Sequence, residues 1–273
     1  MTNEPLCDIY PVDNVRYLLS VNGPDYITTR LRRGETWEKF MLTISQFFID
    51  GIENPVLVDV GANLGAWTIP MGKHIQPRNG KIFAFEPQRP VFYQLCGNLF
   101  LNNLTHCYAY NMALGNKRER INIPLLDVHR SVNVGAFSIS DDINQQLASC
   151  GWTQEYADYQ DVECDTLNAF FADRADEKVH LVKIDVEGWE LEVLQGSKGF
   201  LRNAGFPPLL FEVWGEQMPK MLPKREKLLA FVESLGYDYV ISNELCIAQH
   251  RDNKMIDIKT EGDQVYLYRL AKS

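Results

Sequence analysis

Near residue 60, small residues directly follow a run of apolar residues. The backbone at such a position can bind a ligand. The run Val56–Val60 leads into the segment Asp59-Val60-Gly61-Ala62-Asn63-Leu64-Gly65. Small residues at a strand-to-helix turn let the backbone approach a ligand, and the N–H groups at the helix start point toward it. Glu86 ends the next apolar run, where a carboxylate can accept hydrogen bonds from both hydroxyls of a ribose. Together these features predict a site for an adenosine-containing cofactor, whereas the glycines alone are also explained by a plain turn.

The glycine spacing and the neighbouring Asp59 indicate which cofactor this is. A dinucleotide site would show the pattern Gly-x-Gly-x-x-Gly around a pyrophosphate, but here the glycine after Gly61 comes only at Gly65. A carboxylate beside the turn would repel a pyrophosphate, and it suits a cofactor that carries an amino group and a sulfonium. The residues therefore favour S-adenosylmethionine over a nicotinamide dinucleotide.

A second segment, Lys183-Ile184-Asp185-Val186-Glu187-Gly188, carries charged residues at alternate positions. On a strand, residues two apart share a face, so Lys183, Asp185 and Glu187 are predicted to point the same way. Burying three charges without partners is costly, and they are better tolerated at the mouth of a cleft. Glu212 ends the following apolar run and is expected nearby. We interpret these residues as part of a functional site. The alternative is that they form structural ion pairs, of Lys183 with Asp185 or with Glu212.

Short apolar runs alternate with helix-length segments, which predicts an α/β fold with a mostly parallel, seven-stranded sheet covered by helices on both faces. The predicted strands are 56–60, 82–86, 107–111, 181–185, 209–214, 237–241 and 264–270, the last two forming an antiparallel C-terminal edge. The predicted helices are 35–49, 91–103, 189–202 and 222–235. Residues 1–52 are expected to form an N-terminal cap and 53–273 the main domain. A β-rich insertion is expected around 116–178, with strands near 121–124, 135–139 and 161–164.

The amino-acid composition of the chain argues against some classes of protein function. The chain has 273 residues, 45% of them hydrophobic, and a net charge of −9. That apolar fraction is typical of a folded core, and the acidic balance argues against binding a nucleic-acid backbone through bulk charge. The apolar runs are too short for a membrane-spanning helix, and the first residues lack the pattern of a signal peptide. The six scattered cysteines lack zinc-site spacing and are expected to be reduced thiols, which predicts a cytoplasmic protein.

Several of these strings resemble the FkbM family of S-adenosylmethionine-dependent methyltransferases. The resemblance is carried by Val58–Gly65, Phe85–Pro87, Ala113–Gly115, Asp165–Leu167 and, above all, Lys183–Glu190. It extends over about residues 35–215. It implies a Rossmann-like class I methyltransferase fold, S-adenosylmethionine as the cofactor, and O-methylation of a hydroxyl, often on a sugar, a glycolipid or a polyketide product.

The resemblance also implies a role for each matching position. The cofactor-binding residues would be Asp59, Gly61, Ala62, Asn63, Gly65, Glu86, Asn111, Met112, Ala113 and Asp185. The glycine turn would hold the methionine end of the cofactor, Glu86 the ribose, and residues 111–113 the adenine. Asn111 is equally explained as a residue that ends its strand. Trp37 and Glu38 would close over the cofactor from the front, or they simply begin a helix.

The acceptor hydroxyl must lose its proton or be activated by a cation before it can take a methyl group. Asp185, Glu187 and Glu212 would supply the base or would bind one divalent cation such as Mg²⁺ through oxygen ligands. Lys183 would orient the acceptor or stabilise the developing alkoxide. His129 is a second candidate base, or an exposed loop residue.

A small-molecule or glycan acceptor is the expected partner, and nucleic acid is not expected. One alternative is N-methylation of a small molecule or a nucleic acid, although Asp185–Gly188 lacks the prolines common after the fourth strand of such enzymes. The other is a cofactor-binding module that has lost catalysis.

Overall fold

The computed structural model describes residues 6–149, 151–215, 218–261 and 264–270. The strands in these residues are β1 (Cys7–Val12), β2 (Val15–Ser20), β3 (Val56–Val60), β4 (Lys81–Phe85), β5 (Cys107–Tyr110), β6 (Ala113–Leu114), β7 (Glu119–Leu126), β8 (Tyr156–Asp165), β9 (Val179–Ile184), β10 (Leu209–Glu212), β11 (Tyr237–Ser242), β12 (Leu245–His250), β13 (Ile256–Glu261) and β14 (Gln264–Arg269). The helices are α1 (Tyr26–Arg32), α2 (Lys39–Ile49), α3 (Thr68–Ile75), α4 (Arg89–Leu101), α5 (Asp141–Ser149), α6 (Leu167–Phe170), α7 (Glu190–Gln195), α8 (Lys198–Asn203) and α9 (Leu222–Ser234).

A seven-stranded sheet with the order β11-β12-β10-β9-β3-β4-β5 forms the centre of the fold. The five strands from β10 to β5 run parallel to one another, and β12 and β11 are antiparallel at the edge. The predicted mostly parallel sheet with an antiparallel C-terminal edge is therefore confirmed. In a parallel sheet the carboxyl ends of the strands meet at one edge, so the acidic residues that follow them are brought together.

Both faces of the sheet are covered by apolar side chains, which explains why the strands read as nearly continuous hydrophobic runs. On β3, Leu57 packs with Ile44 and Phe48 of α2 on one face. Val58 and Val60 pack into a second cluster on the opposite face. The alternation along β3 follows from the two-residue period of a strand.

One of the two strands at the antiparallel edge of the sheet is not the one that was predicted. Tyr237–Ser242 pairs with Leu245–His250, and the predicted partner Gln264–Arg269 pairs instead with Ile256–Glu261 in a separate two-stranded sheet. The hairpin between β11 and β12 turns over Asn243 and Glu244, which both have positive φ, at 49° and 65°. A two-residue hairpin loop usually contains glycine, so this turn gave no clear signal in the sequence.

Three helix predictions agree with the structure and one needs correction. Helices 35–49, 91–103 and 222–235 correspond to α2, α4 and α9, although α2 begins only at Lys39. The predicted helix 189–202 is divided into α7 and α8 at Gly196. A Cβ atom on Gly196 would lie 2.0 Å from the carbonyl oxygen of Gly115, so the chain bends where it meets that backbone.

The predicted β-rich insertion contributes β7 and β8 to a three-stranded sheet of order β6-β8-β7, in which β6 precedes the insertion. The predicted strands 121–124 and 161–164 lie within β7 and β8, whereas 135–139 forms no strand. In that segment the Ser138 N–H donates to the side-chain Oδ1 of Asn144 in α5, and the Ser138 carbonyl oxygen accepts from the Asn144 side-chain Nδ2. Both backbone groups of Ser138 are therefore bonded to a side chain and not to a neighbouring strand. The hairpin β1–β2, which was not predicted, precedes α1 and packs against α4.

The cysteine prediction holds for the part of the chain that the structure describes. Cys7, Cys96, Cys107, Cys164 and Cys246 are free thiols there, and Cys150 lies outside the described residues. None of the described helices combines the length and the apolar character needed to cross a membrane.

Candidate active site

A cleft opens at the carboxyl ends of β3, β4, β9 and β10. Its described lining residues include five carboxylates and no Lys, Arg or His side chain. The five are Glu38, Glu86, Asp185, Glu187 and Glu212.

The turn after β3 is fixed against both neighbouring strands. The N–H groups of Gly61 and Ala62 donate to the carbonyl oxygen of Phe85, at 3.0 and 2.9 Å. Gly61 has φ +78°, and a Cβ atom there would lie 1.8 Å from the Asp185 carbonyl oxygen. Only glycine can therefore hold this turn in contact with the end of β9.

Glu86 is tied to the same turn. Its carboxylate accepts hydrogen bonds from the N–H groups of Asn63 (2.9 Å) and Gln88 (2.8 Å). Burial raises the pKa of Glu86 to about 7, while these two hydrogen bonds act in the opposite direction. A carboxylate can accept about four hydrogen bonds, so acceptor capacity remains on the side that faces the cleft.

Asp59 lies beneath the cleft, where it forms a buried ion pair with Lys183. Lys183 is 3% exposed and Asp59 is fully buried, with 3.0 Å between Nζ and Oδ1. The Lys183 ammonium also donates to the Gly61 carbonyl oxygen at 2.8 Å and lies 3.3 Å from Asp185 Oδ2. Burial would lower the pKa of Lys183, but Asp59 and Asp185 outweigh that effect and raise it. The Lys183 ammonium thus lies within 3.3 Å of three protein oxygens, which supports the structural alternative for this residue.

Replacing Lys183 with methionine is expected to lower the free energy of unfolding by about 3–5 kcal/mol, because it leaves the buried Asp59 carboxylate without its cation. Lys254→Met is the control: Lys254 is exposed and pairs with Asp257 at 3.4 Å, so its loss should cost at most about 1 kcal/mol. Urea denaturation of both variants measures the difference. Equal costs at the two positions would contradict a structural role for the buried pair.

Three carboxylates lie close together where the cleft meets the ends of β9 and β10: Asp185, Glu187 and Glu212. Each offers a carboxylate oxygen, and these atoms lie within 4.8 Å of one another. Burial, followed by repulsion from the neighbouring carboxylates, raises the pKa of Glu187 and of Glu212 well above the ordinary value. Glu187 Oε2 is buried without a hydrogen-bond partner. The group can therefore take up a proton or a cation.

The turn that carries Glu187 depends on a residue that the sequence analysis left unassigned. Glu187 has φ +51° and is followed by Gly188 at φ +85°. The Glu190 carboxylate accepts from the N–H groups of Val186 and Gly188, both at 3.1 Å, and closes the turn. Glu190 is the first residue of α7 and does not occupy the capping-box position, so no standard capping pattern in the sequence signals this role.

The remaining predicted cofactor positions divide between the cleft and its support. Met112 and Ala113 line the cleft. Asn111 donates to the carbonyl oxygens of Glu86 and Pro87, at 2.9 and 3.0 Å, as expected for a residue that fixes the end of a strand. Ala62 is buried, and a Cβ atom on Gly65 would lie 2.9 Å from both Ile69 and Leu95. Ala62 and Gly65 therefore pack against the protein core and support the turn.

The N-terminal segment and the insertion contribute cleft residues that had no local motif. They include Tyr26, Trp37, Asn133, Phe137, Ile139 and Trp152. The two segments are joined by Asp25, which accepts from the N–H groups of Thr28 and Val134, both at 2.8 Å. His129 is exposed and its contact is with Ser20, so it does not reach the carboxylates.

A family model matches more than half of the chain. Residues 59–239 match the methyltransferase FkbM domain. Methyltransferase 1 of Beauveria bassiana (strain ARSEF 2860) is 29% identical over 151 residues, which cover 53% of this chain and 59% of that protein. The chain therefore spans less than two thirds of the length of this relative.

Two solved structures match the chain at low sequence identity and with TM-scores below 0.5. Methyltransferase FkbM from Methylobacillus flagellatus KT superposes with a TM-score of 0.45 and 14% identity, over 75% of this chain and 46% of that one. A putative caffeoyl-CoA O-methyltransferase from Staphylococcus aureus gives a TM-score of 0.46 and 9% identity, over 78% and 84%.

The strand order and the cleft at the carboxyl ends of the strands define a Rossmann-like class I methyltransferase fold. The domain match covers more than half of the sequence, and the chain belongs to the FkbM methyltransferase family.

Proposed function

We propose that this protein is an S-adenosylmethionine-dependent O-methyltransferase whose acceptor is a hydroxyl of a sugar, a glycan or a related polyol. The main support is that two features line the same cleft. One is the glycine turn after β3, which is hydrogen-bonded to Glu86, and the other is the carboxylate group of Asp185, Glu187 and Glu212. The first is suited to hold an adenosine-containing donor, and the second to activate a hydroxyl.

The charge of the cleft supports a cationic donor. Five carboxylates line it, and the nearby Lys183 is already bound to Asp59, Asp185 and a carbonyl oxygen. Bound there, S-adenosylmethionine would supply a methyl group on a positively charged sulfur. Glu86 would accept hydrogen bonds from the ribose hydroxyls, and Met112 and Ala113 would lie beside the adenine. A pyrophosphate would meet repulsion throughout the cleft.

Glu187 and Glu212 are placed to take the proton of the acceptor hydroxyl. A raised pKa makes each carboxylate a stronger base, and general-base catalysis contributes about 10²–10⁴-fold in rate. The same oxygens, with Asp185, also fit a divalent cation, since Mg²⁺ prefers carboxylate ligands. We therefore propose Mg²⁺ or a similar ion as a second means of activating the hydroxyl.

Aromatic rings at the mouth of the cleft support a carbohydrate acceptor. Tyr26 is 46% exposed and Trp152 is 43% exposed. The ring of Trp37, which also lines the cleft, lies 5.6 Å from the ring of Tyr26. Exposed ring faces beside carboxylates can contact the apolar C–H face of a sugar while its hydroxyls find acceptors.

Methyl-labelled S-adenosylmethionine and a panel of free sugars, nucleotide-linked sugars, glycans and small alcohols would test the proposal. We expect the label on an oxygen of a polyol, located by mass spectrometry, with release of S-adenosylhomocysteine. Label on nitrogen would contradict O-methylation, and binding of the donor without transfer to any acceptor would favour the inactive module. Repeating the reaction with a chelator tests the cation: loss of turnover that Mg²⁺ restores supports it, and unchanged turnover contradicts it.

Donor affinity should increase as the pH rises through 7, because Glu86 must be ionised to accept both ribose hydroxyls. With a pKa of about 7, the ionised fraction of Glu86 rises about tenfold between pH 6 and pH 8, and the Kd for 5′-methylthioadenosine should fall by about the same factor. This nucleoside has no amino-acid part that titrates in the range. Calorimetry at both pH values measures the change. Glu86→Gln should bind more weakly and without this pH dependence, and a constant Kd in the unmodified protein would contradict the proposed contact.

A further inference from the structure

Glu38 lies in the cleft although its position in the sequence is far from the motifs. It precedes α2 and lies outside the segment that matches the FkbM domain, residues 59–239. Its backbone is left-handed, with φ 44° and ψ 45°, an uncommon conformation for glutamate. Its side chain does not cap α2; it lines the cleft together with Gly61 and Asp185. The chain thus directs this carboxylate into the site and not toward its own helix.

No basic side chain among the described residues that line the cleft can neutralise Glu38. Lys183 acts on Glu38 electrostatically, but its ammonium group pairs with Asp59 and Asp185 and donates a hydrogen bond to the Gly61 carbonyl oxygen. Burial and the negative charge of Asp185 raise the pKa of Glu38 to about 7, as expected for a carboxylate without a cation of its own. A ligand that brings a positive charge would complete this part of the site.

The sheet order indicates which part of the donor reaches Glu38. The ribose partner Glu86 follows β4, the glycine turn follows β3, and Asp185 follows β9, on the side away from β4. A donor whose ribose lies at Glu86 and which crosses the turn therefore extends its methionine end toward Asp185 and Glu38. The α-ammonium at that end has three N–H donors, and charge-assisted hydrogen bonds to carboxylates are among the stronger ones. The sulfonium has no N–H group to donate.

We propose that Glu38, opposite Asp185, binds the α-ammonium group of the donor and so selects a donor with an intact amino-acid end. The proposal rests on the proposed function, since it assumes that the cleft takes S-adenosylmethionine. It assigns to the N-terminal segment a part of the cofactor site that lies outside the domain match.

The test compares two nucleosides that differ at the amino-acid end. S-Adenosylhomocysteine carries the α-ammonium group, and 5′-methylthioadenosine lacks the whole amino-acid part. Glu38→Gln keeps the size of the side chain and removes its charge. By calorimetry we expect its Kd for S-adenosylhomocysteine to rise at least about tenfold, and its Kd for 5′-methylthioadenosine to stay within about twofold of the unmodified protein.

Glu35→Gln is the matched control, because Glu35 is a nearby surface residue that pairs with Arg30 and should affect neither Kd. The thermal midpoint of Glu38→Gln should equal or exceed that of the unmodified protein, since the change removes a half-buried carboxylate that is repelled by the charge of Asp185. Unchanged binding of both nucleosides, or equal losses for both, would overturn the role of Glu38. Failure of the unmodified protein to bind either nucleoside would overturn the proposed function itself, so the two failures are distinguishable.

Discussion

Replacing Asp185 with alanine is expected to lower methyl transfer by about 10²–10⁴-fold, the range found when a general base or an equivalent charged group is lost. Asp185 follows the central strand β9, and its N–H donates to the Val60 carbonyl oxygen at 2.9 Å, which fixes its position beside the turn. Its carboxylate lies between Lys183 and the pair Glu187 and Glu212. It therefore influences the donor end and the acceptor end of the cleft at once.

Asp185→Asn separates charge from shape in the same experiment, because asparagine fills the same volume without the negative charge. Both variants should retain the fold, as measured by their thermal midpoints, and both should lose turnover, as measured by transfer of labelled methyl groups. Asp257→Ala serves as the control, since Asp257 is a surface residue that pairs with Lys254, and its rate should equal that of the unmodified protein. A near-normal rate for Asp185→Ala would remove Asp185 from the mechanism.

Among glycine-to-alanine substitutions in the turn after β3, Gly61→Ala is expected to cause the largest loss of folding stability. Two costs add at this position. The left-handed backbone at φ +78° costs roughly 1–2 kcal/mol for a residue with a Cβ atom. The new methyl group would also lie 1.8 Å from the Asp185 carbonyl oxygen, and relief of such overpacking typically costs about 1–3 kcal/mol more. The total is about 2–5 kcal/mol, and the turn must move away from β9.

Gly51→Ala isolates the first cost from the second. Gly51 has φ +75°, nearly the same as Gly61, but a Cβ atom there would meet nothing within 4 Å. Its substitution should therefore cost only the roughly 1–2 kcal/mol of the backbone conformation. Urea denaturation gives both values, and calorimetry with S-adenosylhomocysteine should show that only Gly61→Ala impairs binding. Similar costs and unimpaired binding in both variants would show that the contact between Gly61 and Asp185 is unimportant.

The sequence predicted the sheet well because its signals are local. Each apolar run followed by glycine or an acid, such as Val56–Val60 before Gly61, became a parallel strand whose carboxyl end lies at the cleft. The strand β12 was missed because the turn Asn243–Glu244 lacks glycine, and Gln264–Arg269 was assigned in its place. Whether two strands pair depends on long-range contacts that a local pattern does not contain.

The same distinction applies to the site. The sequence by itself determined that Glu86, Asp185, Glu187 and Glu212 lie at strand ends, and a parallel sheet then requires them to be neighbours. Only the tertiary structure decided how the charges are used. Lys183 reaches under the turn to Asp59, so the carboxylate beside the glycines is neutralised inside the protein, while Glu38 enters the cleft from a segment before the first strand of the central sheet. The energy of a buried charge depends on the partners that surround it, and folding brings those partners from distant parts of the chain.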